Sequence, residues 1–237
     1  MSRMRNSSLG PRRLATVRAL VVLDGEPLGS DTWLAALAKG ADVVIAADGG
    51  ANRLPKTGRR PDLVVGDMDA LADDRLRELE RAGAKLERHP TEKAETDGEL
   101  ALDAAVKRGA DEIVVVGAFG GTRLDHMLGN LMLLAHEDFA AIDVALVTEH
   151  ATFRSLLGPG ILELEGAPGD WVTLEPLSEV ARGVATDGLR YPLRHEDLVR
   201  GSTRGVSNEL TERRGSVEVG DGLLLVATVT RRSVASR

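Results

Sequence analysis

Asp67 and Asp69 stand two residues apart at the end of the apolar run Leu63-Val64-Val65-Gly66. On extended backbone, residues i and i+2 share a face, so the two carboxylates point the same way. Side by side they repel unless a cation lies between them. Mg²⁺ is held by one or two carboxylates together with substrate phosphates and water. The spacing therefore suggests a metal–phosphate site, with a pair of solvated loop acids as the alternative. Asp97 is a third candidate ligand, or simply an acid favoured at a helix N-terminus by the dipole. Arg123, Asp125 and His126 stand at the start of a helical stretch. A guanidinium offers phosphate a planar fork of donors, whereas Asp125 also suits a helix N-cap and His126 a first-turn surface position. Lys93, in Pro90-Thr-Glu-Lys93-Ala-Glu-Thr96-Asp97, is a point charge for phosphate or an exposed loop lysine. The pairs Gly49-Gly50 and Gly120-Gly121 let backbone approach a phosphate closely, or supply turns with positive φ.

Composition narrows the choice. The chain has 237 residues, a formal charge of −7, 43% hydrophobic residues, 3% aromatics and no cysteine. A disulfide framework, a thiolate metal site and a cysteine nucleophile are excluded. An acidic chain so poor in aromatics lacks the signature of a nucleic-acid binder. No apolar run approaches the roughly 20 residues of a membrane helix. There is no G-x-x-x-x-G-K-[ST] loop, and no G-x-G-x-x-G opens the first helix. Residues 1–17 are polar and arginine-rich, and the apolar run after them stops at Asp24, short of a secretory signal. They are expected to form a disordered tail on a cytoplasmic protein; a twin-arginine export signal at Arg12-Arg13 is the weaker alternative.

The elements that must position these residues follow from texture. Short β-branched runs at 19–23, 42–47, 63–65, 112–117 and 143–147 alternate with stretches of helical period at 31–38, 73–82, 97–108 and 125–136. Continuous apolar strands separated by helices predict a parallel sheet covered on both faces. Thr96 and Glu99 have the spacing of a capping box. In such a sheet, ligands bind beyond the carboxyl ends of the strands. Three strands break there into small and acidic residues: Asp48-Gly-Gly-Ala-Asn52, Gly66-Asp-Met-Asp69 and Gly117-Ala-Phe-Gly-Gly. After residue 150, turn clusters at 158–160 and 166–169 separate short strands at 161–164, 171–174, 183–185, 216–219 and 223–229, predicting a small antiparallel sandwich or partial barrel. The expected organisation is a tail (1–17), an α/β domain with a parallel sheet flanked by helices (18–152) and an all-β sandwich domain (153–237).

In order and spacing, these motifs resemble the thiamine pyrophosphokinase family. The resemblance rests on Asp48–Asn52, Gly66–Asp69, Thr96-Asp97-Gly-Glu-Leu-Ala-Leu102 and Gly117-Ala-Phe-Gly-Gly with Arg123-Leu-Asp-His126 and Asn130. In the second half it rests on Gly183-Val-Ala-Thr-Asp-Gly188-Leu-Arg-Tyr191-Pro-Leu193 and Gly205-Val-Ser207-Asn208-Glu209. It implies pyrophosphoryl transfer from ATP to the hydroxyethyl group of thiamine, giving thiamine diphosphate and AMP, in a homodimer with sites at the subunit interface. By resemblance, Asp67, Asp69 and Asp97 hold Mg²⁺. Asp48, Gly49, Gly50, Asn52, Lys93, Thr96, His126 and Asn130 line the nucleotide cleft with Arg123 and Asp125. Ser207 and Asn208 meet the thiamine pyrimidine, and Tyr191 stacks on thiamine, whose cationic thiazolium is attracted to an aromatic face. The chain departs from the family pattern with Ala70 in place of serine, Ala94 in place of aspartate and Thr122 as an extra residue. A phosphohydrolase of the haloacid-dehalogenase type, with Asp67 as nucleophile, and a non-catalytic thiamine- or nucleotide-binding regulator are the competing readings.

Overall fold

The apolar runs of the first half are strands of one parallel sheet. A computed structural model of the chain describes residues 16–139 and 142–231. The expected tail lies outside the described residues up to residue 15. Strands β1 (Arg18–Val22), β2 (Val43–Ala47), β3 (Leu63–Gly66), β4 (Lys85–Arg88), β5 (Glu112–Val116) and β6 (Asp143–Val147) pair in parallel. Side chains of a strand alternate between faces. Ala19, Val21 and Leu23 therefore enter one core with Ala101, Leu102 and Ala105 of helix α3 (Asp97–Lys107). Leu20 and Val22 enter the opposite core with Leu34 of α1 (Asp31–Gly40) and Leu76 and Leu79 of α2 (Asp73–Arg81). Strand β4 is an edge strand that sequence texture missed. Its Lys-Leu-Glu-Arg carries no apolar run, because charges guard an open edge against pairing with other chains.

Helices α1 and α3 start at side-chain caps. Ser30 Oγ accepts from Trp33 N at 3.2 Å, and Thr96 Oγ1 accepts from Glu99 N at 3.2 Å. The last helical stretch divides into α4 (Leu124–Met132) and a 3₁₀ turn at Leu133–Ala135. No residue of α4 is buried, and Leu124, Leu128 and Met132 lie exposed at four-residue spacing.

The second half contributes β7 (Ala151–Leu157), β8 (Gly160–Glu165), β9 (Trp171–Pro176), β10 (Val180–Asp187), β11 (Glu196–Val199), β12 (Asn208–Glu209), β13 (Arg214–Val219) and β14 (Leu223–Val229). Strand β7 pairs antiparallel with β6, so the sheet runs unbroken into the second half and has ten strands in the order β12-β9-β14-β7-β6-β5-β1-β2-β3-β4. Residue 152, the expected domain boundary, lies inside β7. A separate antiparallel sheet, β11-β10-β13-β8, packs against the far end of the large one. Val172, Leu174, Leu224 and Val226 meet Leu164, Val184, Val217 and Val219 in the core between them, which makes this half a sandwich. Among the described residues no helix is long and apolar enough to cross a membrane.

Candidate active site

A cleft of about 730 Å³ opens at the carboxyl ends of the parallel strands. Sequence alone placed Asp48, Asp67, Asp69, Lys93, Thr96, Asp97, Arg123, His126 and Asn130 at one site, and all of them line this cleft. Each arrives from an element end. Asp48 follows β2 and opens a 3₁₀ turn, Asp67 and Asp69 follow β3, Lys93 to Asp97 lead into α3, and Arg123 to Asn130 belong to the start and body of α4. The cleft also includes Asp24 and Gly25, at the end of β1. They were missed, although they carry the same break from apolar strand to Asp-Gly as the motif after β2.

The carboxylates do not arrange as two-residue spacing suggested. Met68 adopts φ +67°, so the backbone between Asp67 and Asp69 is a turn and not extended. Asp67 Oδ1 instead accepts from Asp69 N at 3.2 Å, and this bond holds its carboxyl below the ordinary range. The acids that converge are Asp48, Asp67 and Asp97, which offer one oxygen each within 4.8 Å of one another. Asp69 stands on the exposed rim. Burial pushes the Asp48 carboxyl up to about 6 despite the hydrogen bond from Ala70 N, and the charges of Asp69, Asp97 and Asp67 add to the rise. Lys93 Nζ reaches Asp97 Oδ1 at 3.0 Å and so offsets part of this negative charge. Converging hard oxygen donors, one of them buried, fit a divalent cation such as Mg²⁺.

The Arg123 guanidinium forks onto Asp125, with Nη2 to Oδ2 at 2.7 Å and Nε to Oδ1 at 3.0 Å. The fork holds the Asp125 carboxyl far below its ordinary range. Asp125 does not line the cleft, and both side chains are well exposed. Asn130 Nδ2 donates to Ala118 O at 3.1 Å and ties α4 to the loop after β5. Asn52 Nδ2 donates to Ala70 O at 3.4 Å and ties the turn after β2 to the loop after β3. Gly49 and Gly50 serve packing and do not line the cleft: a Cβ on Gly50 would sit 2.1 Å from Val22 O, and one on Gly49 2.4 Å from Asp24 Oδ1.

Tyr191, Ser207 and Asn208 lie in the sandwich, outside this cleft. Asn208 is buried, and its amide is already engaged. Oδ1 accepts from Tyr191 N and Glu209 N at 2.9 Å each, and Nδ2 donates to Tyr191 O at 2.7 Å. Asn208 thereby clamps the backbone of Tyr191, whose ring is half exposed with the Arg190 guanidinium 5.7 Å from its centroid. Ser207 is exposed at φ +61°.

An acid-lined cleft on the carboxyl edge of a parallel α/β sheet that continues into a β-sandwich defines an α/β protein whose carboxylate cluster could hold a metal ion. Comparison with known proteins gives the particular family. Residues 34–146 match the family model "Thiamin pyrophosphokinase, catalytic domain", and residues 161–224 match "Thiamin pyrophosphokinase, vitamin B1 binding domain". Thiamine pyrophosphokinase of Bacillus subtilis (strain 168) is 32% identical over 187 residues, covering 78% of this chain and 86% of the relative. The crystal structure of thiamin pyrophosphokinase from Geobacillus thermodenitrificans superposes with a TM-score of 0.77 at 31% identity, covering 92% of this chain and 99% of that one. A family protein from Enterococcus faecalis shares the fold with a TM-score of 0.78 at 24% identity, covering 90% of this chain and 99% of that one. The chain belongs to the thiamine pyrophosphokinase family. Its members are transferases that move pyrophosphate from ATP to thiamine, forming thiamine diphosphate and AMP.

Proposed function

We propose that the chain catalyses this transfer by direct in-line displacement in the cleft at the end of the parallel sheet. The carrying observation is the convergence of Asp48, Asp67 and Asp97 at three element ends, with Lys93 and Arg123 on the same cleft. In this reaction the thiamine hydroxyl attacks the β-phosphorus of ATP, a new O–P bond forms, and the bond to the AMP oxygen breaks. Such transfers ask little covalent work of a protein; positioning and charge neutralisation carry most of the rate.

Asp67, Asp69 and Asp97 are the carboxylates assigned to Mg²⁺, which, when bound, offsets the charge that develops on the phosphate oxygens. Lys93 and Arg123 steady the phosphate chain, and Asp125 holds the Arg123 fork in one orientation. Asp48, Thr96, His126 and Asn130 shape the nucleotide end of the cleft. Gly49, Gly50 and Asn52 support it from behind. The division of labour follows residues 18–152 for nucleotide and metal and 153–237 for thiamine. Tyr191 and Ser207 are the thiamine contacts, and Asn208 sets the position of Tyr191.

Tyr191 and Ser207 do not line the cleft. A homodimer, in which the sandwich of one copy faces the cleft of the other, brings the two halves of a site together. The exposed Leu124, Leu128 and Met132 of α4 supply an apolar face for that contact. A cytoplasmic location fits substrates of this kind.

AMP release from ATP and Mg²⁺, measured with and without thiamine and with mass detection of thiamine diphosphate, tests the reading. Thiamine-dependent AMP matched by thiamine diphosphate is the expected result. In the same assay Asp67→Asn lowers turnover by about 10²–10³-fold, the scale of losing one electrostatic stabiliser. Thiamine binding without AMP release would favour the regulator.

A further inference from the structure

Arg190 flanks the aromatic ring that the second half of the chain presents. Its guanidinium lies 5.7 Å from the centroid of the Tyr191 ring, within the range of a cation–π contact. Both ends of the residue are tied to Glu209. Arg190 N donates to Glu209 O at 2.9 Å, and Arg190 Nη1 donates to Glu209 Oε2 at 3.1 Å. The same carboxylate faces a second guanidinium, with Arg231 Nη1 3.7 Å from Glu209 Oε1. Arg231 in turn lies 6.0 Å from the centroid of the Trp171 ring. Two guanidinium charges thus share one carboxylate, and one positive charge is left over. Both arginine side chains are well exposed, and among the described residues the remaining side-chain N–H groups of Arg190 have no partner. This placement conflicts with thiamine recognition alone. The thiazolium is itself a cation, and a like charge beside its seat weakens binding. The conflict resolves in the product. The hydroxyl that receives the pyrophosphoryl group hangs two carbons from the thiazolium ring. A ring stacked on Tyr191 therefore brings the transferred phosphates next to whatever flanks Tyr191. A guanidinium there meets phosphate oxygens with a fork of N–H donors.

We infer that Arg190 is a catalytic residue of the transfer, donating hydrogen bonds to the non-bridging oxygens of the pyrophosphoryl group as it passes to thiamine, and that it does so at the cleft of the other copy in the dimer. The inference rests on the proposed transfer and on Tyr191 as the thiamine contact. Arg190 gives up no proton. It offsets charge on the oxygens while the O–P bond to thiamine forms on one side of the β-phosphorus and the bond to the AMP oxygen breaks on the other. Glu209 fixes the fork from behind and leaves its outer donors free.

The test combines turnover with calorimetry of thiamine and of thiamine diphosphate, in wild type, Arg190→Gln and Tyr191→Ala, with Mg²⁺ present. Arg190→Gln removes one exposed ion pair, which contributes little to stability, so the variant folds. Its thiamine affinity equals or exceeds that of wild type, its thiamine diphosphate affinity falls by about tenfold, and its kcat falls by about 10²-fold, the scale of one lost oxyanion donor. An unchanged kcat, an unchanged affinity for thiamine diphosphate, or a loss confined to KM for thiamine overturns the inference. Co-expression of differently tagged Arg190→Gln and Asp67→Asn chains then tells which copy Arg190 serves. Each chain alone is slow. The mixed dimer keeps one site with an intact cleft and an intact sandwich, and recovers about half the wild-type rate. No recovery overturns delivery across the interface. Failure of the underlying reading looks different. Wild type without thiamine-dependent AMP release removes the transfer, and unchanged thiamine affinity in Tyr191→Ala, where about tenfold weaker binding is expected, removes the thiamine contact. Either result takes the inference with it.

Discussion

Asn208 shows how a polar residue in a functional motif can act at one remove. Its amide closes hydrogen bonds with both the N–H and the C=O of Tyr191. Asn208→Ala removes this partner from both groups and from Glu209 N at a part-buried position, where each lost partner costs at most about 1–3 kcal/mol. Urea unfolding should report that loss, and KM for thiamine should rise through the freed Tyr191 while kcat changes less. Ala70 acts at the same scale. Where the family pattern has a serine, this chain uses only backbone: Ala70 N donates to Asp48 and Ala70 O accepts from Asn52. At residue level the cleft was largely legible, because strand ends rich in Asp and Gly mark it. What sequence misjudged was direction. Two-residue spacing implied that Asp67 and Asp69 point the same way, but the backbone between them is left-handed at Met68, and the acids that converge with Asp67 are Asp48 and Asp97. A single positive φ at a non-glycine residue leaves no trace in spacing.

Elements were read well wherever burial enforced a pattern. Strands buried on both faces and helices with side-chain caps appeared where their textures placed them, whereas the charged edge strand β4, the two-residue β12 and the strands β7 and β11 were not expected. Helix α1 has a support that no local window reveals. Glu149, in the turn between β6 and β7, accepts from Ser30 N at 2.8 Å and from Ser30 Oγ at 2.9 Å, and these bonds lower its pKa from the ordinary 4.5. A carboxyl whose folded pKa lies below its unfolded value contributes stability above the unfolded pKa, and this is lost as pH falls through the folded value. Glu149→Gln should therefore be less stable than wild type at neutral pH, and the gap should close in acid. Urea midpoints measured across that range check the sign.

At the scale of the whole molecule, α4 is an amphipathic helix with its apolar side turned outward. Leu124 is 66% exposed, Leu128 60% and Met132 48%. An apolar stripe of this kind on a monomer marks an interaction surface. The proposed homodimer contact predicts that Leu128→Asp shifts the sedimentation equilibrium toward monomer. It also predicts lower thiamine turnover, while the circular dichroism of each protomer stays as in wild type.

The passage of the large sheet through β6 and β7 has a consequence for how the chain can be lost or divided. Cutting between the halves that match the catalytic-domain and vitamin B1 binding-domain models would expose the hydrogen-bonding edges of both strands, and open edges recruit other chains. The two halves share one continuous sheet. A substitution that loosens the second half is therefore expected to lower the melting temperature of the first as well.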